Sequence, residues 1–276
     1  MKVCISIDIE DWFQLIFYKD ERPLKEWSRE KLTIEEPLTF LLDTFDREKI
    51  RATFFVLGWY GKYYPDLIRS IQDRGHEIAS HGMTHVLNSN LEDGQQEYEL
   101  SASKEILEKV TGEKILGYRA PSFSISKNVA LKLISVGYKY DSSFFPFNHN
   151  SRYGCLTELE IEELSAEGLK EIPISVASVG RITVPFAGGR YFRLFPELLV
   201  EKLIGKTAQK PLVFYFHPWE FSQNNKYLRS LPFLSEMRAL LSLRNLGVRK
   251  NRGKFINLVN YLKKNDYEFT AMRNLL

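Results

Sequence analysis

The chain has 276 residues, of which 44% are hydrophobic and 13% aromatic, and its formal net charge is +3. This composition supplies an ample core for one compact, enzyme-like domain, whereas so small a charge gives no reason to expect a nucleic-acid partner. The two cysteines, Cys4 and Cys155, are too few for a disulfide framework, so reduced structural thiols are expected.

Short apolar runs alternate with helix-like segments along the chain. This alternation is typical of parallel strands joined by crossover helices, and seven or eight repeats in 276 residues favour a barrel over an open sheet. We therefore predict an α/β fold with a single barrel domain over residues 1–276. The predicted strands are residues 3–7, 52–57, 76–79, 115–118, 137–140, 171–176, 211–216 and 267–272. The predicted helices are residues 37–48, 64–75, 97–112, 126–137 and 195–208, and a basic helical segment at about 232–265 is expected to pack on the barrel.

The chain contains no linker rich in Pro, Gly or Ser, no internal repeat and no low-complexity tract. The first predicted strand begins within two residues of Met1, which leaves no room for a secretory signal, and no uncharged apolar run approaches the length of a membrane span. A soluble protein in the cytoplasm is therefore expected. The sequence indicates no oligomeric state.

Five of the apolar runs lead directly into a residue that can take part in chemistry. In a β/α barrel the active site is built at the C-terminal ends of the strands, so these residues are expected to converge. They are Asp8, His81 (one residue after Ser80), Arg119, Asp141 and His217.

A metal site is indicated by two histidines four residues apart, His81 and His85, in the sequence SHGMTH. On a helical turn, or on a tight loop that imitates one, side chains at this spacing point the same way. Such a pair usually needs a carboxylate as third ligand, and the first strand delivers Asp8, Glu10 and Asp11 together. The sequence thus predicts a site of two imidazoles and one carboxylate.

The C-terminal part of the chain is locally basic, since residues 237–276 hold nine Lys or Arg against Asp266 and Glu268. A solvated helix face explains this pattern. The sharper alternative is attraction to an anionic substrate, such as a nucleotide- or pyrophosphate-linked sugar, or to an anionic membrane surface.

Five motifs, in order, resemble those of the polysaccharide deacetylases, the NodB-like carbohydrate esterase 4 family. They are IDIED at 7–11, SHGMTH at 80–85, YRAPSF at 118–123, YDSS at 140–143 and FYFHPWEF at 214–221. The phrases DRGHEIASHGMTH, FHPWEF and GGRYFRLFP further resemble the bacterial branch associated with exopolysaccharide and cell-surface glycan loci. The resemblance implies a distorted (β/α)7 barrel that removes acetyl groups from N-acetylated sugars with a divalent metal, commonly zinc.

The resemblance also implies a role for each motif residue. His81, His85 and a carboxylate would hold the metal and leave one position open for water. Asp8 would be the general base, and Arg119 would pair with Asp8 and keep it ionised. His217 would be the general acid that protonates the departing amine.

The chain departs from the family pattern in two places. Many members have adjacent aspartates, base then ligand, where this chain has Asp8-Ile9-Glu10-Asp11. In an extended strand Asp8 and Glu10 share a face, so Glu10 is the favoured ligand and Asp11 the runner-up. RAPSF replaces the usual Arg-Pro-Pro, which bears on the backbone amide expected near Ser122 or Phe123 to stabilise the oxyanion.

Several further residues are expected near the substrate. Asp141 would orient His217 or bind a sugar hydroxyl, and Phe123, Trp219 and Tyr191 are candidate sugar contacts. The aromatic segment 12–36 would either cover the site and stack on a sugar, or cap the barrel bottom or an oligomer contact. Its aromatic residues are Trp12, Phe13, Phe17, Tyr18 and Trp27.

Three functions fit this pattern. The favoured one is hydrolysis of an acetamide on an N-acetylated sugar, in a polysaccharide, a glycolipid or a nucleotide-sugar precursor. The second keeps the barrel but hydrolyses another amide, either a formamide or a ring amide of purine catabolism. The third is a catalytically silent glycan-binding protein, which is disfavoured because the motif residues with assigned roles are all present.

Overall fold

A computed structural model of the protein describes residues 1–14, 24–147, 156–208, 210–223 and 246–276. The strands are β1 (Lys2–Ile9), β2 (Thr53–Val56), β3 (Glu77–Ser80), β4 (Gly117–Tyr118), β5 (Tyr140–Asp141), β6 (Lys170–Glu171), β7 (Val176–Val179), β8 (Ile182–Pro185), β9 (Leu212–Phe216) and β10 (Glu268–Phe269). The helices are α1 (Glu35–Glu48), α2 (Gly58–Tyr63), α3 (Pro65–Asp73), α4 (Asp93–Thr111), α5 (Lys127–Val136), α6 (Glu158–Ala166), α7 (Gly189–Leu194), α8 (Glu197–Ile204) and α9 (Val248–Lys264).

The main sheet is parallel, and its strands follow the order β9-β1-β2-β3-β4-β5-β6, with β10 beside the start of β1. All of β1 except its first residue is buried, as expected for a parallel strand covered on both faces. The backbone amide of Ser175, four residues after β6, donates to the carbonyl oxygen of Val213 in β9. The sheet thus curls into a half-barrel surrounded by helices, which confirms the predicted α/β barrel class.

The structure differs from the predicted elements where tertiary contacts outweigh local pattern. The run 171–176 was predicted as one strand but contains the end of β6 and the start of β7, which forms an antiparallel hairpin with β8. Helix α2 was not predicted because it is short and contains two glycines. A Cβ atom at Gly58 would lie 2.4 Å from the sulfur of Met83 and 2.9 Å from Cα of Ser103, so glycine permits α2 to approach α4 closely.

The predicted basic C-terminal helix is described only in part. Helix α9 starts at Val248, and residues 232–245 of the predicted basic segment lie outside the described residues. The buried face of α9 includes Phe255, Val259 and Leu262. Among the residues that the structure describes, every helix is too short or too polar to cross a lipid bilayer.

The thiol of Cys4 is buried in β1. Burial, reinforced by the nearby charge of Glu77, raises the pKa of Cys4 to about 12. A thiol with so high a pKa is almost wholly protonated at neutral pH and hence unreactive. Cys155, the second predicted reduced thiol, lies outside the described residues.

His76 is a buried histidine immediately before β3, and its contacts are structural. Its ring packs against Phe45 and Phe54 at centroid distances of 5.4 and 5.1 Å, and its Nδ1 accepts a hydrogen bond of 3.2 Å from the amide of Ala52. Burial, together with the charge of Arg51, lowers the pKa of His76 to about 4.

His76 should therefore make stability depend on pH. As the pH falls from 6.5 towards 4, the unfolded chain binds a proton that the folded protein resists, so the free energy of unfolding should fall by about 3 kcal/mol from this residue. Urea unfolding at pH 7 and pH 4 tests this in the wild type and in His76→Asn, whose side-chain oxygen can replace Nδ1. The variant should lose correspondingly less stability on acidification, and an equal loss in both proteins would contradict the assignment.

Candidate active site

Residues from four strands of the main sheet meet at its C-terminal edge. Asp8 lies near the end of β1, and Glu10 follows that strand directly. His81 follows β3, Arg119 follows β4 and His217 follows β9. We call these five residues and His85 the candidate site. All of them are buried except His217, whose side chain remains 14% exposed.

The metal-binding prediction concerns Glu10, His81 and His85, and the structure brings these three side chains together. Nε2 of His81 lies 3.1 Å from Oε1 of Glu10, and Nε2 of His85 lies 2.8 Å from the same oxygen. Burial raises the pKa of Glu10, but the charges of His85 and His217 and the hydrogen bonds from the imidazoles outweigh burial and hold its pKa well below the usual value. Glu10 is therefore a carboxylate, the form that binds metals.

The donor chemistry of these residues fits a cation. Nδ1 of His81 lies 2.8 Å from the carbonyl oxygen of Arg119, which can only accept a hydrogen bond. The hydrogen of a neutral His81 ring therefore sits on Nδ1, and the lone pair of Nε2 points at Glu10, another acceptor. Two acceptors facing each other repel. A proton on Nε2 relieves this repulsion and forms the hydrogen bond to Glu10 described above, and a metal ion could take the place of that proton. Metal-bound histidines commonly donate their other ring N–H to a carbonyl, as Nδ1 of His81 does here. Two imidazoles and one carboxylate suit zinc with one position left open.

The loop that carries the two histidines is a tight turn and not a helix. His85 has a φ of 54° and Gly82 a φ of 81°, so the backbone enters the left-handed region twice within five residues. The carboxylate of Glu99, on α4, accepts hydrogen bonds of 2.8 Å from the amides of both Met83 and Thr84. Glu99 thus holds the turn in place, a role that the sequence did not indicate.

Asp8 and Arg119 form a buried ion pair. Nη1 of Arg119 lies 2.7 Å from Oδ1 of Asp8, and its other nitrogens donate to the carbonyl oxygen and the hydroxyl of Ser142 at 3.0 and 2.8 Å. The guanidinium lies 4.0 Å from the ring centroid of Phe55. Because these contacts fix the guanidinium on several sides, Arg119 fixes the orientation of the Asp8 carboxylate.

His217 is oriented by Glu220, which follows it in a 3₁₀ turn at Pro218–Phe221. Nδ1 of His217 lies 2.6 Å from Oε1 of Glu220, and the second oxygen of Glu220 lies 3.3 Å from the guanidinium of Arg193 in α7. Burial lowers the pKa of His217, but the charges of Glu10 and Glu220 outweigh burial and raise it above the usual value. Nε2 of His217 faces the metal-binding residues, 3.7 Å from Oε1 of Glu10.

The predicted partnership between Asp141 and His217 needs correction, because Glu220 occupies the position beside Nδ1. Asp141 is buried instead beneath the strand ends, where it accepts a hydrogen bond of 2.6 Å from the hydroxyl of Ser143. Burial raises the pKa of Asp141 to about 6. Glu220 lies within the motif FYFHPWEF, but its position three residues after His217 does not by itself indicate that its carboxylate contacts the imidazole.

Asp11, the runner-up metal ligand, also lies elsewhere. Its carboxylate accepts hydrogen bonds from the amide of Trp12 at 2.7 Å and from the amide and hydroxyl of Thr33 at 2.6 and 2.5 Å. These bonds join the two ends of the aromatic segment, and Asp11 belongs to neither cluster of potential metal ligands among the described residues. The strand periodicity that favoured Glu10 explains this difference.

The three predicted sugar contacts, Phe123, Trp219 and Tyr191, each pack against other rings. Phe123 packs against Phe145 and Tyr215, and its amide, one of the two considered for the oxyanion, donates to the carbonyl oxygen of Ala120. Trp219 stacks on His217 at a centroid distance of 5.3 Å. Tyr191 is half-buried and packs against Phe147 and Phe195.

The described part of the aromatic segment forms a core rather than an open platform. Trp12, Phe13 and Trp27 are buried and pack with Trp59 in edge-to-face contacts. The remaining predicted aromatic residues, Phe17 and Tyr18, lie outside the described residues.

Two family models match this chain and divide it near residue 141. Residues 35–140 match a model described as "Polysaccharide deacetylase", and residues 142–276 match one described as "Domain of unknown function (DUF3473)". The sheet does not divide there, because β5 pairs with β6 and β1 pairs with β9 and β10. His217 and Glu220 both lie in the second matched region.

Similar proteins include a peptidoglycan deacetylase from Helicobacter pylori, 32% identical over 103 residues, which are 37% of this chain and 35% of that protein. A peptidoglycan-N-acetylglucosamine deacetylase from Bacillus cereus is 32% identical over 99 residues, which are 36% of this chain and 46% of that protein. The chain thus spans less than half the length of either relative. A carbohydrate esterase 4 family pseudoenzyme from Bacillus anthracis has a similar fold, with a TM-score of 0.56, 12% identity, and coverage of 99% of this chain and 64% of that one.

Proposed function

We propose that this chain, for which the family model and the relatives support membership of the polysaccharide deacetylases (the NodB-like carbohydrate esterase 4 family), is a metal-dependent hydrolase of acetamido sugars. The reaction would release acetate and leave a free amine on the sugar. The observation that carries this proposal is that two groups of potential metal ligands, Glu10 with His81 and His85 and Glu10 with Asp8 and His217, share the carboxylate of Glu10. Amide hydrolysis requires these parts: a proton acceptor, a cation and a proton donor.

Glu10, His81 and His85 would hold the metal. When bound, a divalent cation supplies Lewis acidity towards a carbonyl oxygen and makes water more acidic. Asp8 accepts the proton from the attacking water at Oδ2, since Oδ1 is paired with Arg119. Arg119 holds this carboxylate in its orientation, so Asp8 would not have to lose conformational entropy at each turnover.

His217 would deliver a proton to the amide nitrogen as the C–N bond breaks. Its Nδ1 hydrogen is donated to Glu220, so the transferable proton sits on Nε2, the atom that faces the candidate site. The carboxylate of Glu220, which accepts the Nδ1 hydrogen, favours the protonated form that this step needs. Without that proton, the reaction would have to expel an unstable amide anion.

The finer features of the substrate and the cofactor are part of the proposal. We propose zinc as the metal because two imidazoles and one carboxylate suit it, and an N-acetylated sugar in polymeric, lipid-linked or nucleotide-linked form as the substrate. The motif phrases DRGHEIASHGMTH, FHPWEF and GGRYFRLFP support a place in the exopolysaccharide-locus branch. Phe123, Trp219 and Tyr191 remain predicted sugar contacts.

Amine and acetate release from N-acetylglucosamine oligomers and UDP-N-acetylglucosamine tests the proposal. We expect release that a chelator abolishes and added zinc restores. His81→Ala should lose both bound metal and activity, whereas His76→Asn, which replaces a histidine away from the candidate site, should keep both.

Three outcomes would contradict the proposal. Activity on formamides or purine-derived ring amides but not on acetamido sugars would favour the second function. Chelator-insensitive glycan binding without amine release would favour the silent glycan-binding protein. Full activity in the absence of metal would remove the ligand assignment.

A further inference from the structure

A groove of about 460 Å³ lies between α1 and α3, outside the candidate site. Glu35 opens α1 and Pro65 opens α3, and helices that follow parallel strands begin at the edge where those strands end. The groove therefore opens at the rim of the edge that carries the candidate site. We call it the rim groove; the lining residues that matter here are Glu35, Thr39, Tyr63, Tyr64, Asp66 and Ser70.

Tyr63 gives the rim groove an exposed aromatic surface. Its side chain belongs to the minority of large apolar or aromatic residues left open to solvent, with 44% of its surface exposed. Trp59, which is buried, packs against the Tyr63 ring at a centroid distance of 5.1 Å, and Nζ of Lys62 lies 5.3 Å from the centroid of the same ring. A rigid, exposed ring of this kind binds flat apolar faces such as that of a pyranose.

The polar groups of the rim groove are mostly hydrogen-bond acceptors. The hydroxyls of Thr39 and Ser70 donate to carbonyl oxygens of their own helices, which leaves their lone pairs for a ligand. Glu35 and Asp66 add two exposed carboxylates; Asp66 also forms an exposed ion pair with Arg69, an interaction that contributes little. An acceptor-rich groove binds ligands that bring donors.

The one guanidinium that lines the rim groove is already neutralised. Nη1 of Arg74 lies 2.7 Å from a carboxylate oxygen of Asp43 and 3.0 Å from one of Asp46. Glu35 lies close enough to Tyr64 that, after burial, its charge contributes to raising the pKa of that hydroxyl. The groove therefore favours a cation over an anion. The helix dipole explains why Glu35 and Asp66 lie in the first turns of α1 and α3. It does not explain the exposed ring of Tyr63.

We propose that the rim groove binds sugar residues that carry a free amino group, so that a glycan that is already partly deacetylated is held beside the candidate site. The apolar face of the sugar would stack on Tyr63, and its ammonium group would pair with Glu35. This inference rests on the proposed function, because deacetylation of an acetamido sugar leaves a free amine on that sugar. The substrate is accordingly a chain of several sugars and not a single nucleotide-linked one.

Calorimetric titration with a glucosamine pentamer, in the presence of a chelator, tests this inference. We expect Tyr63→Ala and Glu35→Gln each to weaken binding by at least about fivefold, and Tyr63→Phe, which keeps the ring, to bind like the wild type. The fully N-acetylated pentamer should bind more weakly than the glucosamine pentamer. Tyr98→Ala and Glu105→Gln are matched controls on α4, since both residues are exposed and neither lines the groove.

The inference is overturned if the wild type does not bind the glucosamine pentamer, if neither Tyr63→Ala nor Glu35→Gln weakens binding, or if the acetylated pentamer binds as tightly. Acetate release is measured separately on the same proteins. Groove binding without acetate release would contradict the proposed function alone, whereas acetate release with binding that is insensitive to both variants would contradict the groove alone.

Discussion

Replacement of Asp8 by Asn is expected to lower kcat for an N-acetylated sugar by about 10²–10⁴-fold. Asparagine has the same shape and can still accept a hydrogen bond from Arg119, but it cannot take a proton from water. Because Glu10, His81 and His85 are unchanged, the bound metal should stay at the wild-type stoichiometry. Acetate release and elemental analysis of the purified variant measure the two quantities.

Asp141→Asn is the matched control for Asp8→Asn. Both residues are buried aspartates at strand ends, but Asp141 bonds to Ser143 and does not reach the ligand cluster. Its replacement should leave most of the activity. The role of Asp8 as base would be refuted by near-wild-type turnover in Asp8→Asn, or by an equal loss in the Asp141 variant.

Replacement of His217 by Ala should lower kcat for an acetamide by about 10²–10⁴-fold but spare the hydrolysis of 4-nitrophenyl acetate. The amine of an acetamido sugar must be protonated as it leaves, whereas nitrophenolate departs as a stable anion. The informative measurement is the ratio of kcat/KM on the two substrates. Asp8→Asn should reduce both reactions, because both need the attacking water.

Glu220→Gln should show the same selectivity with a smaller loss. The imidazole remains, but a neutral amide stabilises its protonated form less than the carboxylate at 2.6 Å does. A merely structural role for Glu220 predicts instead an equal decrease on both substrates. If His217→Ala reduced both reactions by the same factor, the proton would have to come from another group.

The metal-binding half of the candidate site was accessible from the sequence because its signals are local. Asp8 and Glu10 share a face through the two-residue period of a strand, and His81 and His85 share a direction through their spacing. Asp11 was retained as an alternative because nothing local shows that its carboxylate bonds to Thr33, 22 residues away.

The remaining parts depend on contacts between distant elements. Glu99 holds the histidine turn from α4, and Arg193 reaches Glu220 from α7, so neither pairing follows from spacing. Glu220 is different, because a turn that folds a carboxylate back onto a residue three positions earlier is a recognisable cap. The barrel class was predictable from the alternation of elements, whereas the hairpin of β7 and β8 was hidden within a continuous apolar run.

Strand β1 lies between β2, which is early in the chain, and β9, which is late. The candidate site therefore combines residues from two separate stretches of chain. In the proposed mechanism, water activation and ion binding would come from residues 8–119 and proton delivery from residues 193–220. Nε2 of His217 lies 3.7 Å from Oε1 of Glu10, so a substitution that moves this imidazole also changes the charge beside a metal-binding residue. A mutagenesis library that seeks tolerance of new leaving groups should therefore keep His217 and vary the residues around it.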